Sequence, residues 1–257
     1  MNVFKNIYNY RELLKNNVKK EIRGKYKNSF LGVLWSFLNP LLQIVVYSII
    51  FQLILKNPQE NYTIFVCCGL IPWTFFATAV NRTSTALVDN GGIIKKVYFP
   101  REILPISVVT SEAVNFLIST IIILIFVIFG GIGISKYILF YPLILITQYI
   151  LLIGISLIVS SITVYFRDLQ HLIGVAIQLL FYAAPVVYSA KNIPAGYDWI
   201  LNFNPMTYVI NAYRDIFYNQ SMIDIKSVCI LLVISIVFCI IGYMIFNKLQ
   251  KGVAEQL

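Results

Sequence analysis

The sequence predicts an all-α integral membrane protein with six transmembrane helices, an N-terminal amphipathic interface helix, and re-entrant extracellular helices before the last span. The first supporting observation is composition: of 257 residues, 59% are hydrophobic and 12% charged. Ordinary globular chains carry roughly 45–50% apolar and about 25% charged residues, so soluble and disordered classes are both excluded. The second is the presence of six apolar stretches, each near the length of about 20 residues that a ~30 Å hydrocarbon core requires. The third is an uneven distribution of lysine and arginine along the chain.

Residues 3–23 set Val3, Phe4, Ile7, Tyr10, Leu14, Val18 and Ile22 at steps of three and four. Lys5, Arg11, Lys15, Lys19, Lys20 and Arg23 fill the rest of the turn. That period predicts a helix with one apolar face. It suits the plane of a membrane surface, apolar side down, or the surface of a partner protein. No cleavable signal peptide is expected, because the first apolar run follows about 28 mixed, charge-rich residues, roughly beyond where such signals end.

The six apolar stretches cover 30–55, 62–87, 103–129, 137–166, 169–188 and 226–246. Asn39-Pro40 interrupts the first, and Gly69 and Pro72 interrupt the second. Proline removes a helix hydrogen bond, and the freed carbonyl needs another partner. Both spans are therefore expected to be kinked and packed inside the bundle. With the N-terminus inside, 15 of the 20 lysines and arginines fall on the cytoplasmic side, which places both termini there. An even number of spans agrees.

The residues that catalysis needs are missing as patterns. The single histidine, His171, stands beside the end of a span and reads as structural. No two aspartates lie within three positions, and no nucleophile elbow, H-E-x-x-H or phosphate-binding G-x-x-x-x-G-K-[ST] loop occurs. If ATP is used, another chain binds it. Cys67, Cys68, Cys229 and Cys239 lie in apolar runs without metal spacing and read as small packing residues. Glu112 falls inside the third span, with Asn115 following one turn later. A charge at mid-bilayer costs roughly 2.5–3.5 kcal/mol on insertion scales, so Glu112 should face the protein interior in a structural hydrogen-bond role. The net charge of +9 sits mostly at the membrane edge, and no nucleic-acid partner is implied.

Three connections carry more information. After the second span, Asn90-Gly91-Gly92 allows a sharp break. Ile93, Ile94, Val97, Tyr98 and Phe99 then stand among cations, a combination that wants a protein surface or the membrane interface. Pro100 holds Phe99 extended, and Pro105 suits the first turn of the next helix. Tyr165-Phe166-Arg167-Asp168-Leu169-Gln170-His171 forms a tight polar turn. On the outside, residues 185–226 hold Pro185, Pro194 and Pro205 and eight aromatics. Pieces 195–203 and 206–218 measure ~14 and ~20 Å by helical rise, too short to span. They are either an aromatic belt at the interface or re-entrant half-helices gating an exit path.

These motifs also resemble a known family. The run from Arg23-Gly24-Lys25-Tyr26 through Trp35-Ser36-Phe37-Leu38-Asn39-Pro40-Leu41 looks like the opening of type-2 ABC permeases that export polysaccharides. Tyr98-Phe99-Pro100-Arg101-Glu102-Ile103-Leu104-Pro105 resembles that family's cytoplasmic loop. Tyr165-Phe166-Arg167-Asp168-Leu169, Pro185-Val186-Val187-Tyr188 and Asn204-Pro205 through Tyr213-Arg214-Asp215 are similar to its later blocks. The likeness covers nearly the whole chain in order.

The resemblance implies the membrane subunit of an exporter of undecaprenyl-linked O-antigen or teichoic acid, multi-pass in the bacterial inner membrane. It implies a homodimer with two copies of a separate ATP-binding subunit docked beneath, ATP and Mg being bound there and no cofactor in this chain. Docking would involve the N-terminal helix and Ile94, Val97, Tyr98, Phe99, Pro100 and Arg101. An aromatic path for the glycan would use Trp35 and Phe37 near the cytoplasmic mouth, Phe181 and Tyr182 in the fifth span, and Tyr188, Tyr197 and Trp199 at the outer gate. The chain then divides, within one permease domain over 1–257, into an interface helix (1–29), five spans (30–188), a gate segment (189–225) and a last span with tail (226–257). A type-2 permease for drugs or small hydrophobic molecules shares this architecture and is the alternative. A membrane glycosyl- or acyltransferase lacks its acid/base or metal-binding residues here.

Overall fold

A backbone in lipid must satisfy its own hydrogen bonds, and for a chain this apolar the helix is the simplest solution. The computed structural model describes residues 3–27, 29–54, 59–190 and 196–256, which form helices and short connections with no strand among them. Pro194 of the outer segment and the side chains of Val3 and Phe4 on the expected apolar face lie outside the described residues. An N-terminal arm of α1 (Val3–Asn9) and α2 (Arg11–Tyr26) breaks at Tyr10. α3 (Trp35–Ser48) runs on as a π-helical stretch, Ile49–Ile54. α4 (Tyr62–Ser84), the short α5 (Ala86–Asp89) and α6 (Gly91–Ile94), and α7 (Ile103–Phe129) follow. A 3-10 turn, Lys136–Phe140, leads into α8 (Tyr141–Tyr165). α9 (Leu169–Tyr182), α10 (Asp198–Phe203), α11 (Pro205–Phe217), α12 (Ile225–Leu249) and α13 (Val253–Gln256) complete the chain.

Among the described residues, five helices are long and apolar enough to cross a membrane: Trp35–Gln52, α4, α7, Lys136–Tyr165 and α12. α9 is apolar but has only 14 residues. At 1.5 Å per residue it reaches about 21 Å, short of a ~30 Å core. The stretch expected as a fifth span over 169–188 is thus a helix to Tyr182 followed by a bend at 183–188. The sequence marks the break with Pro185, whose ring disfavours helix at the residue before it.

α4 is the central helix, with 78% of its most apolar stretch buried against 11% for Trp35–Gln52. α3, α7, α8, α9 and α11 all pack on it. Inside packing therefore holds for the Pro72 helix and fails for the Pro40 helix. Pro40 and Ile44 are buried, while Leu42, Val45, Val46 and Ile49 stand exposed on the other faces. α3 is mostly apolar, and the bundle covers only its Pro40 and Ile44 side. Both helices continue through their prolines.

The core has two parts. The larger joins α4, α7, α8 and α11. The smaller gathers Leu87, Ile94, Phe99, Leu104, Leu157, Val164, Phe246 and Val253 at the end of the bundle where α4, α8 and α12 finish and α7 begins. The arm packs along α7 at this same end. At the opposite end, Gly131 and Gly133 adopt φ +78° and +82°, which turns the chain out of α7. The Gln220 amide donates to the carbonyls of Ile132 and Gly133 and closes that turn against the segment after α11.

Candidate functional site

At the arm end, Glu112 is 2% exposed and accepts from donors on three elements. Lys25 Nζ of α2 lies 2.9 Å from Oε2, and Arg82 of α4 pairs with Oε1. Thr78 Oγ1 and Asn115 Nδ2 each approach Oε2 at 3.3 Å. Arg82 also reaches Glu21 at 2.7 Å, so two cations and two carboxylates join arm to bundle. The inward orientation and structural role expected of Glu112 match this geometry. Beside it lies a cavity of about 150 Å³ lined by Lys25, Trp35, Asn39, Thr74 and Asn115, among others.

The loop after α6 divides its side chains. Tyr98 is 93% exposed and Val97 is exposed, whereas Ile94 and Phe99 are buried in the smaller core cluster. Pro100 and Arg101 are half-buried, and an Arg101 guanidinium nitrogen donates to the Gln250 carbonyl beyond α12. Asn6 of α1 donates to Glu102 at 3.0 Å, and Lys20 to Asn90 at 2.8 Å. Together Asn6, Tyr10, Tyr98, Arg101, Asn247 and Lys251 border a cleft of about 680 Å³. Of the six residues expected at a docking surface, Val97 and Tyr98 present themselves outward. Ile94 and Phe99 instead hold the loop.

Of the expected aromatic path, Phe181 stacks on Tyr47 with ring centroids 5.8 Å apart, meets Trp73 edge-on at 5.7 Å, and touches Tyr182 at 5.3 Å. From Tyr47 the series extends through Phe51, Tyr62 and Phe65 to Tyr218 at successive centroid distances of 6.3, 6.0, 6.0 and 5.5 Å. Tyr218 is one of the eight aromatics of the outer segment, but the sequence does not single out Tyr47, Phe51, Tyr62 or Trp73. Tyr47 and Phe51, and Tyr62 and Phe65, are each about one turn apart, and packing joins these pairs to one another and to Tyr218. Tyr182, Tyr197 and Trp199 are exposed, while Tyr188 is half-buried and donates to the Tyr182 carbonyl. Trp35 lines the cavity beside Glu112, and Phe37 packs against the main core; neither forms a ring pair with this series among the described residues.

At the far end, α11 lies against α4. Asn204 caps it by accepting from the Met206 N–H at 3.0 Å. Tyr213 donates to Gln148, whose amide donates to the Pro72 carbonyl at 3.0 Å. Arg214 is 4% exposed; it donates to the Val186 carbonyl at 2.7 Å and covers the Phe65 ring at 3.5 Å. No group of three or more His, Cys, Asp or Glu suited to a metal occurs among the described residues.

A helical bundle with several apolar spanning helices, polar clusters at both ends and an aromatic seam defines a multi-pass membrane protein. Residues 12–218 match the ABC-2 type transporter family, and the chain belongs to it. It is 37% identical to the O-antigen export system permease protein RfbA of Klebsiella pneumoniae, over 93% of this chain and 92% of that one. The protein of the same name from Myxococcus xanthus is 32% identical over 98% and 97%. The polysialic acid transport protein KpsM of Escherichia coli is 23% identical over 91% and 92%.

Proposed function

We propose that this chain is the membrane subunit of an ABC transporter that exports lipid-linked polysaccharide, powered by a separate ATP-binding subunit. The observation that carries this reading is end-to-end similarity to permeases named for O-antigen export. Similarity to a polysialic acid transport protein favours polysaccharide over a drug or other small hydrophobic cargo. Among polysaccharides, the relatives favour O-antigen over teichoic acid.

In this reading α9 with the bend at 183–188 forms the sixth crossing element, both termini are cytoplasmic, and α1–α2 is the interface helix. α10 and α11 are the re-entrant outer gate. The chain acts as a homodimer, in which a second copy would cover part of the exposed apolar surface of α3 and α9. Two ATP-binding subunits, carrying ATP and Mg, dock at the cleft beside Tyr98. The inner membrane of a bacterium is the setting.

The test is complementation. A strain lacking its own O-antigen permease is given this chain with its ATP-binding partner, and surface polysaccharide is measured. Restored surface polymer supports the reading; polymer retained in the cytoplasm, with both subunits present in the membrane, overturns it. Cysteine labelling at Lys136 and Asp198 reports the orientation, and both positions should react from outside.

A further inference from the structure

Arg214 carries a charge that the packing of α11 does not require. It is 4% exposed, its Nε has no hydrogen-bond partner, and it takes part in no ion pair among the described residues. The titratable groups facing it are the Cys68 thiol and the phenols of Tyr62, Tyr188 and Tyr218. A buried cation without an anion is costly, and a site needing only volume is served as well by an apolar side chain.

What the guanidinium does is join three elements. From α11 it donates to the Val186 carbonyl in the bend after α9, and it lies over the ring of Phe65 on α4. One turn later on α4, Gly69 makes room: a Cβ there would sit 2.5 Å from the Val186 oxygen and 3.0 Å from the Arg214 terminal nitrogen. One turn earlier, the Tyr62 hydroxyl donates to the neighbouring Val187 carbonyl at 2.6 Å. Tyr62, Phe65 and Gly69 share one face of α4. Asn204 at the head of α11 adds a bond to the Ala183 carbonyl at 3.4 Å.

We infer that Arg214 is the positioning residue of the outer segment, latching the bend at 183–188 and α11 to α4 so that they shift as one unit when polymer leaves. A charge-assisted bond to a carbonyl is stronger than a neutral one yet can be broken and remade. The planar group also stacks on Phe65, which lysine cannot reproduce. This inference rests on the reading of α10–α11 as the outer gate.

The experiment uses the purified permease in nanodiscs with Cys229→Ser and Cys239→Ser, leaving the buried Cys67 and Cys68. Val187→Cys, at a position 4% exposed, is titrated with a polar maleimide. Arg214→Met should raise labelling at position 187 at least tenfold, Arg214→Lys should restore part of the protection, and Gly69→Ala should act in the same direction as Arg214→Met. The double variant should label no faster than the faster single, because both disturb one contact. Unchanged labelling in Arg214→Met and Gly69→Ala overturns the latch. So does an equal rise in labelling at Cys67, which is not among the groups facing Arg214 and so marks general loosening; labelling of Cys68, which faces Arg214, belongs to the latch. Surface polymer is measured for the same variants in cells: faster labelling with normal export keeps the latch and removes the gate reading.

Discussion

Gly154 of α8 and Gly242 of α12 meet backbone to backbone. A Cβ on Gly242 would run into the Gly154 carbonyl, and one on Gly154 would lie 2.5 Å from the Cys239 amide nitrogen. In lipid there is no hydrophobic gain from joining two apolar helices, so close approach through small residues supplies the attraction. Gly242→Val should therefore separate α8 from α12. Overpacking costs about 1–3 kcal/mol, and a lower melting temperature of the detergent-solubilised protein is the expected result. An unchanged melting temperature would show that the pair tolerates separation.

The Glu112 cluster predicts a different failure. Glu112→Gln keeps the shape but leaves Lys25 and Arg82 without their shared carboxylate. Because both cations are about a third exposed, water offsets part of the loss, and roughly 1–3 kcal/mol is expected. The change should appear as faster hydrogen exchange along α2, while α8 and α12 stay protected. Uniform exchange across the bundle would refute a local tether.

Much of this was legible in the sequence because composition and periodicity are local. The helical class and the inward Glu112 follow from short windows, whereas Gly91 and Gly92, expected to break the chain, are helical residues of α6 and the interruptions fall at Thr85 and Asn90. What the windows could not show is who meets whom. Lys25 and Arg82 lie 87 and 30 positions from Glu112, and the rings that flank Phe181 come from α3 and α4. Ile94 and Phe99 read as surface groups because their neighbours are cations. Their burial depends on Leu157, Phe246 and Val253, which arrive from distant helices.

That division within the loop separates two effects. Tyr98→Ala should leave stability unchanged, since the ring is 93% exposed, yet weaken retention of the ATP-binding subunit in co-purification. Truncating a hot-spot aromatic costs about 2 kcal/mol or more of binding. Phe99→Ala should instead lower stability by roughly 3–5 kcal/mol, as core phenylalanine truncations do. Equal behaviour of the two variants would contradict the inward and outward assignment.

The aromatic seam allows packing and transport roles to be told apart. Polysaccharides are hydrated and bulky, so a conduit must hold them weakly at several sites. Ring faces suit this, because sugar C–H groups pack on them while hydroxyls stay hydrated. Phe181 contacts Tyr47, Trp73 and Tyr182, whereas Tyr182 is 74% exposed and carries fewer packing demands. Phe181→Leu should cost stability, each lost ring pair contributing about 0.5–1.5 kcal/mol. Tyr182→Leu should cost little stability, and any fall in surface polymer it causes is then a transport effect. The double variant should reduce export while membrane insertion and retention of the ATP-binding subunit persist. Normal surface polymer in Tyr182→Leu and in the double variant would assign both rings to packing or to a protomer contact and remove them from the path.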